Sequence, residues 1–68
     1  MMDDKMVRLE ITVIKMDDQS MLVEYEGEQE WIAYSLIEDE SEITEFSEDG
    51  DEGELVIPRW KAEEVGFV

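Results

Sequence analysis

Between Met6 and Met16 apolar and polar residues alternate. Val7, Leu9, Ile11 and Val13 fall on one face, with Arg8, Glu10 and Thr12 on the other. Period two is the mark of a half-buried strand. Ile14 interrupts the polar face, so part of that face is expected to be covered too. Asp17-Asp18-Gln19-Ser20 carries turn chemistry. A second strand is predicted over Met21 to Glu26, where Met21, Val23 and Tyr25 alternate with Leu22, Glu24 and Glu26. Glu26-Gly27-Glu28-Gln29 then reads as a hairpin turn in which Gly27 supplies a positive φ. A third strand is predicted from Glu30 to about Leu36. It is apolar on both sides (Trp31, Ile32, Ala33, Tyr34, Leu36), as a central strand or one that bends round the core would be.

The second half is harder to read. Asp39 to Ser41 is acidic and expected to be loop, Ile43 to Phe46 predicts a short fourth strand, and Ser47 to Gly53 is a charged loop with two glycines. Glu54 to Ile57 predicts a fifth strand. Pro58 ends it, because proline cannot donate to a ladder and suits a helix start. A short helix is expected from Arg59 to Val65. Gly66 would stop it, and Phe67 could fold back on it. Five short strands with one terminal helix predict a mainly β fold, a small five-stranded antiparallel barrel of SH3-like or OB-like type over residues 1–68 as a single domain. The SH3-like type fits better, given short strands and a terminal helix.

Sixty-eight residues allow only a thin core, about 60% of the unfolded surface being buried at this size. With no cysteine and no histidine, neither a disulfide nor a cysteine zinc site can reinforce it. An apolar fraction of 43% is close to that of ordinary folded domains. No apolar run approaches the roughly 20 residues of a membrane span, and the acidic Met1-Met2-Asp3-Asp4-Lys5 is unlike a secretory signal. The expected location is the cytoplasm.

Charge then dominates the functional reading. The formal net charge is −16, from 21 acids and 5 bases. Lys5, Arg8, Lys15, Arg59 and Lys61 are all the bases, and none lies between Asp17 and Glu54, a stretch that holds 16 acids. The remaining acids balance the bases, so the whole net charge sits mid-chain. Such a field repels nucleic acid and anionic membrane and attracts basic surfaces. The candidate partner-binding residues are Glu24, Glu26, Glu28 and Glu30, recurring every second position, and Glu38, Asp39, Glu40, Glu42, Glu45, Glu48, Asp49, Asp51, Glu52 and Glu54. One such strand face sets a carboxylate about every 6.6 Å. Duplex DNA carries a charge per about 1.7 Å of axis, so imitation needs neighbouring strands and the Ser47–Glu54 loop together. The bland reading of the same acids is a solubilising surface.

Other chemistry is weakly signalled. Asp49-Gly50-Asp51-Glu52-Gly53-Glu54 is faintly like a calcium loop, but its twelfth position is Trp60 where a bidentate glutamate belongs, so no metal and no cofactor is expected. Carboxylate pairs are inevitable in so acidic a chain, and catalysis would need a pocket that separates two pKa values, so no enzyme is expected. Trp31, Tyr34, Trp60 and Tyr25 could stack bases, but the base-free centre offers no positive groove. Trp31 and Trp60 are expected in the core, with one of them available to anchor a partner. An alternative leaves the acids to solubility and places contacts on Ile14, Leu22, Ile32 or Tyr34, as an accessory or structural module or a homo-oligomer.

Two segments carry a resemblance. Glu30-Trp31-Ile32-Ala33-Tyr34-Ser35-Leu36-Ile37 and Leu55-Val56-Ile57-Pro58-Arg59-Trp60-Lys61-Ala62-Glu63-Glu64-Val65-Gly66-Phe67 are similar to a pattern of small acidic proteins of tailed phages and prophages. In that pattern a Trp-bearing strand with a Ser-x-Ile end, an acidic spacer and an Ile-Pro-x-Trp-x-Ala segment with a late glycine follow one another. Ala33-Tyr34 stands here where that pattern has a proline. The resemblance covers about a third of the chain and implies a phage origin without assigning an activity or functional residues. By size and charge alone, the chain resembles anti-CRISPR and anti-restriction proteins that mimic DNA. The partner so implied is a basic, nucleic-acid-binding protein surface.

Overall fold

The computed structural model describes residues 5–68; Met1–Asp4, read above as unlike a signal, lie outside the described residues. Strand β1 spans Met6–Met16, β2 Ser20–Tyr25, β3 Glu28–Ala33 and β4 Glu52–Pro58. A single 3₁₀ turn, Tyr34–Leu36, follows β3, and helix α1, Arg59–Glu64, follows β4. The strands form one antiparallel sheet in the order β3-β2-β1-β4. No helix among the described residues is long and apolar enough to cross a membrane.

The alternation of β1 is realised as expected. Leu9, Ile11 and Val13 are buried and stand beside Leu55, Gly53 and, from β2, Val23. Directly opposed residues share a face, so these pairs, with Met21 opposite Ile32, make the inner face. Six of its side chains, Val13, Met21, Val23, Ile32, Leu55 and Ile57, are fully buried, each contributing about 1.5–3 kcal/mol. Ala62 of α1, Phe67 and Ile43 complete this cluster. Gly66 adopts φ +84°, the Phe67 N–H reaches the Ala62 carbonyl (2.8 Å) and the Gly66 N–H reaches Glu63 (3.2 Å). These two bonds define a Schellman stop. It turns Phe67 back into the core, where its ring lies 5.4 Å from that of Tyr25.

The chain does not build a closed five-stranded barrel: the described residues form an open four-stranded sheet, and the strand expected at Ile43–Phe46 is a turn. Its hydroxyls explain why. The Phe46 N–H donates to Thr44 Oγ1 (3.1 Å), the Thr44 N–H to Ser47 Oγ (3.0 Å) and the Ser47 N–H to the Thr44 carbonyl. Local side chains thus capture the donors that a ladder would need. Ile43 is buried, whereas Phe46 is 85% exposed. The third strand also ends earlier than expected and lies at the sheet edge, not the centre. Ile14 does not mark a covered polar face. The β1–β2 register slips between Val13 and Lys15, so Ile14 sits in a bulge at 36% exposure.

The two edges of the sheet are unlike. Along the far edge of β4, the Glu38 N–H donates to the Val56 carbonyl (2.9 Å), and the Glu42 and Ile43 N–H groups to that of Glu54 (3.0 and 3.1 Å). Ser41, the only buried polar residue described, centres this seam. Its hydroxyl accepts from the Val56 N–H (3.2 Å) and faces the carbonyls of Ile43 (2.7 Å) and Glu54 (3.1 Å). Gly53 leaves room for the crossing: a Cβ there would stand 3.3 Å from Ile43 Cδ1 and 3.1 Å from Glu42 Oε1. Ser41→Ala strands the buried Val56 N–H and should cost about 1–3 kcal/mol. Urea unfolding measures it, and an unchanged midpoint would refute this role.

Candidate functional site

The acids of the second half follow from that seam. Residues 38–54 fold against β4 and the bulge of β1, with backbone bonds doing most of the holding and a few carboxylates serving as internal acceptors. The Gly50 N–H donates to the Val13 carbonyl and the Val13 N–H to that of Asp51, both at 2.7 Å. Asp49 Oδ1 accepts the Met16 N–H (3.0 Å), Asp51 Oδ2 the Glu48 N–H (2.9 Å) and Glu42 Oε1 the Glu54 N–H (2.8 Å). Glu40 and Glu54 are drawn together by Arg8, whose guanidinium lies 2.6 and 3.1 Å from them. The Arg8 side chain is solvent-exposed, so water screens both pairs and leaves them little weight in stability. The hydrogen bond to Glu40, then its charge, hold the Arg8 pKa above its ordinary value.

The outcome for the expected site is mixed. Asp39, Glu40, Glu42, Glu45, Glu48, Asp49, Asp51 and Glu52 are exposed, while Glu38 and Glu54 are half-buried. Glu38, Asp39 and Glu45 line one cleft, and Glu40 and Glu54 meet at Arg8; the exposed carboxylates of residues 38–54 form the acidic rim of the molecule without converging on one point. The hairpin glutamates do not share one face. Only two residues, Glu26 and Gly27, join β2 to β3, and Tyr25 pairs with Glu28, so even positions on one strand oppose odd positions on the other. Glu24 therefore lies on the outer face opposite Gln29, whose amide approaches it at 3.3 Å. Glu28 and Glu30 lie on the inner-face side, opposite Tyr25 and Val23, at the open edge. Glu26 is in the turn itself with φ +50°.

Several features escaped the sequence reading. Asp17 and Asp18, in the turn after β1, share a cleft with Glu45, extending the rim beyond the expected residues. Their signal was present, since the base-free stretch begins at Asp17. Trp31 and Trp60, expected in the core, are 43% and 58% exposed, while Ile32, expected outward, is fully buried. Trp31 and Leu22 are cross-strand neighbours on the outer face. The clefts cluster round Tyr34, which touches all three and whose hydroxyl donates to the Asp17 carbonyl. They are open clefts of about 220, 390 and 400 Å³, at or below the lower end of the usual 300–1,000 Å³ of ligand pockets. Burial raises the Tyr34 pKa, and the charges of Asp17, Asp18 and Glu45 raise it further. Burial first, and then the charge of Glu26, also raise that of Tyr25. Among the described residues no three carboxylates converge to hold a metal ion.

No protein-family model matches the chain, and neither a curated protein nor a solved structure does.

Two measurements test the strain of the hairpin turn and the electrostatics of the rim. A left-handed glutamate is strained by about 1–3 kcal/mol, and Asn-Gly is the preferred pair in this kind of turn. Glu26→Asn should therefore raise stability by up to about 1 kcal/mol in denaturant unfolding; a loss would show that Glu26 is held there by contacts. The molecule measures 36 × 24 × 18 Å, close to the ~30 Å Debye length at 0.01 M salt and well beyond the ~8 Å at 0.15 M. Its melting temperature should rise over that interval, with 1 kcal/mol of relieved repulsion worth about 4–8 °C. A flat curve would mean that the rim is not under repulsive load.

Proposed function

We propose that this chain is a non-enzymatic acidic binding module, a phage-encoded inhibitor whose carboxylate rim imitates nucleic acid. It would block a basic nucleic-acid-binding surface on a host defence protein, in the manner of anti-CRISPR or anti-restriction proteins, in the host cytoplasm. One observation carries this reading. The base-free stretch is not a loose tail: its backbone is bonded to β4 and to the β1 bulge while most of its carboxylates stay exposed. A charge array ordered in advance loses less entropy on binding, so more of its attraction is kept as affinity. Recognition of this kind is fast, salt-sensitive and competitive with nucleic acid. The SH3-like or OB-like comparison remains part of this proposal as a likeness of small β architecture, not of closure.

A second reading is favoured by the outer face, where Ile14, Leu22 and Trp31 are incompletely buried. In it the chain is a phage accessory module that associates through apolar contacts, and the acids serve solubility.

The deciding experiment is a pull-down from host lysate, with the wild-type chain and with a variant carrying Asp39→Asn, Glu45→Gln, Glu48→Gln and Glu52→Gln as baits. The first reading expects a nucleic-acid-binding protein that DNA displaces, that salt releases and that the variant fails to capture. Capture indifferent to salt, DNA and the four substitutions would remove the mimic and leave the apolar module.

A further inference from the structure

The sheet's other edge is bare. Strand β3 pairs with β2 on one side, and among the described residues nothing pairs with it on the other. The direction of its unused groups can be worked out. Tyr34, just past the strand, donates its N–H to the Gln19 carbonyl (3.0 Å), towards β2. Backbone groups alternate sides along an antiparallel strand. The even residues of β3 therefore serve β2, and the N–H and C=O groups of Gln29, Trp31 and Ala33 face outward. Exposed edges are templates for another strand, and natural proteins normally blunt them with charged side chains, proline or bulges. This edge has no lysine, proline or bulge and is regular from Glu28 to Ala33; what guards it is the charge of Glu28 and Glu30, which repels acidic strands and leaves basic ones free to pair.

Its charge selects the occupant. Glu28 and Glu30 flank the edge on the inner-face side, and Glu26 stands at the hairpin tip. No base occurs in β2 or β3, and Lys15 stands two strands in, opposite Leu22. A strand laid against β3 would place alternate side chains opposite Glu28 and Glu30, where opposite charges stabilise a cross-strand pair and like charges oppose it. The other side chains of that strand would lie beside Trp31, which with Leu22 offers an apolar strip on the outer face. We infer that β3 is a strand-addition site that accepts an extended basic segment of a partner protein as a fifth strand, with cationic side chains facing Glu28 and Glu30 and apolar ones against Trp31. A second copy of this chain is the poorer occupant, since it brings another charge of −16 to an edge already acidic. The inference rests on the proposed reading in one respect, that the partner is basic. It adds that main-chain pairing on β3, away from the rim, sets the register of the complex.

The full chain would be titrated at low salt with a short blocked peptide of alternating lysine and valine, following each amide by NMR and hydrogen exchange. The expected result is protection of the Gln29, Trp31 and Ala33 amides, and loss of binding when alternate peptide nitrogens are methylated. Replacing Glu28 and Glu30 by glutamine should weaken binding by about two- to thirtyfold, as for two opposite-charge cross-strand pairs. If the peptide binds but shifts only residues 38–54, with the methylated form equally good, the strand-addition site is wrong and the acidic-module reading survives. Absence of any binding overturns both. If those amides are already protected in the free chain and it sediments as a dimer, the edge belongs to a second copy and the inference fails.

Discussion

One hydroxyl lies at the centre of the seam that joins the acidic half of the chain to its sheet. Ser41 sits where the segment after the 3₁₀ turn meets β4, accepting from Val56 and facing the carbonyls of Ile43 and Glu54. From that seam the rest follows. Glu38, Glu42 and Ile43 can bond to β4, Ile43 can enter the core above Gly53, and the carboxylates that come after are carried to the surface. A side chain no longer than serine is needed there, because the hydroxyl must reach backbone groups on both segments within a core that has little volume to spare.

The acids are both the load on this arrangement and part of what bears it. Mutual repulsion among carboxylates works against compaction, yet Glu42, Asp49 and Asp51 each accept a backbone N–H and so tie the segment down. Arg8 brings the single guanidinium that bridges Glu40 to β4. The sheet is thereby left asymmetric. Its β4 edge is covered by an ordered acidic segment, and its β3 edge is regular and open, so the two sides of one small domain offer different kinds of contact.

Periodicity and stop signals were legible where the local pattern alone decides the outcome. The strand from Met6 to Met16, the glycine of the hairpin, and the Gly66 stop with its returning Phe67 could all be read from short-range chemistry. What could not be read depended on register. The row Glu24, Glu26, Glu28, Glu30 looks like one face until a two-residue loop reverses its parity. Trp31 is apolar, but its neighbour Ile32 is the one opposite Met21, which sends the tryptophan outward. Ile14 is a bulge, and a bulge leaves the same trace in a sequence as a second buried face. Ile43–Phe46 has strand-like composition, and its hydroxyl neighbours decide otherwise. The acidic region was legible as composition, whereas its order was not, because backbone bonds to distant strands carry no local signal.

The connectivity of β1 has a kinetic consequence. This strand is central, paired with β2 through a short turn but with β4 only across most of the chain, Met6 meeting Pro58. Closing a long loop costs more entropy than closing a hairpin, and its contacts repay that cost late. The meander β1-β2-β3 can therefore assemble first, and β4 arrives last, bringing the acidic segment with it. Until then both sides of the meander are unpaired, a form prone to stick to its own kind. The charge that slows the final docking also keeps such half-built chains apart, so the same carboxylates that burden the finished fold protect it while it forms.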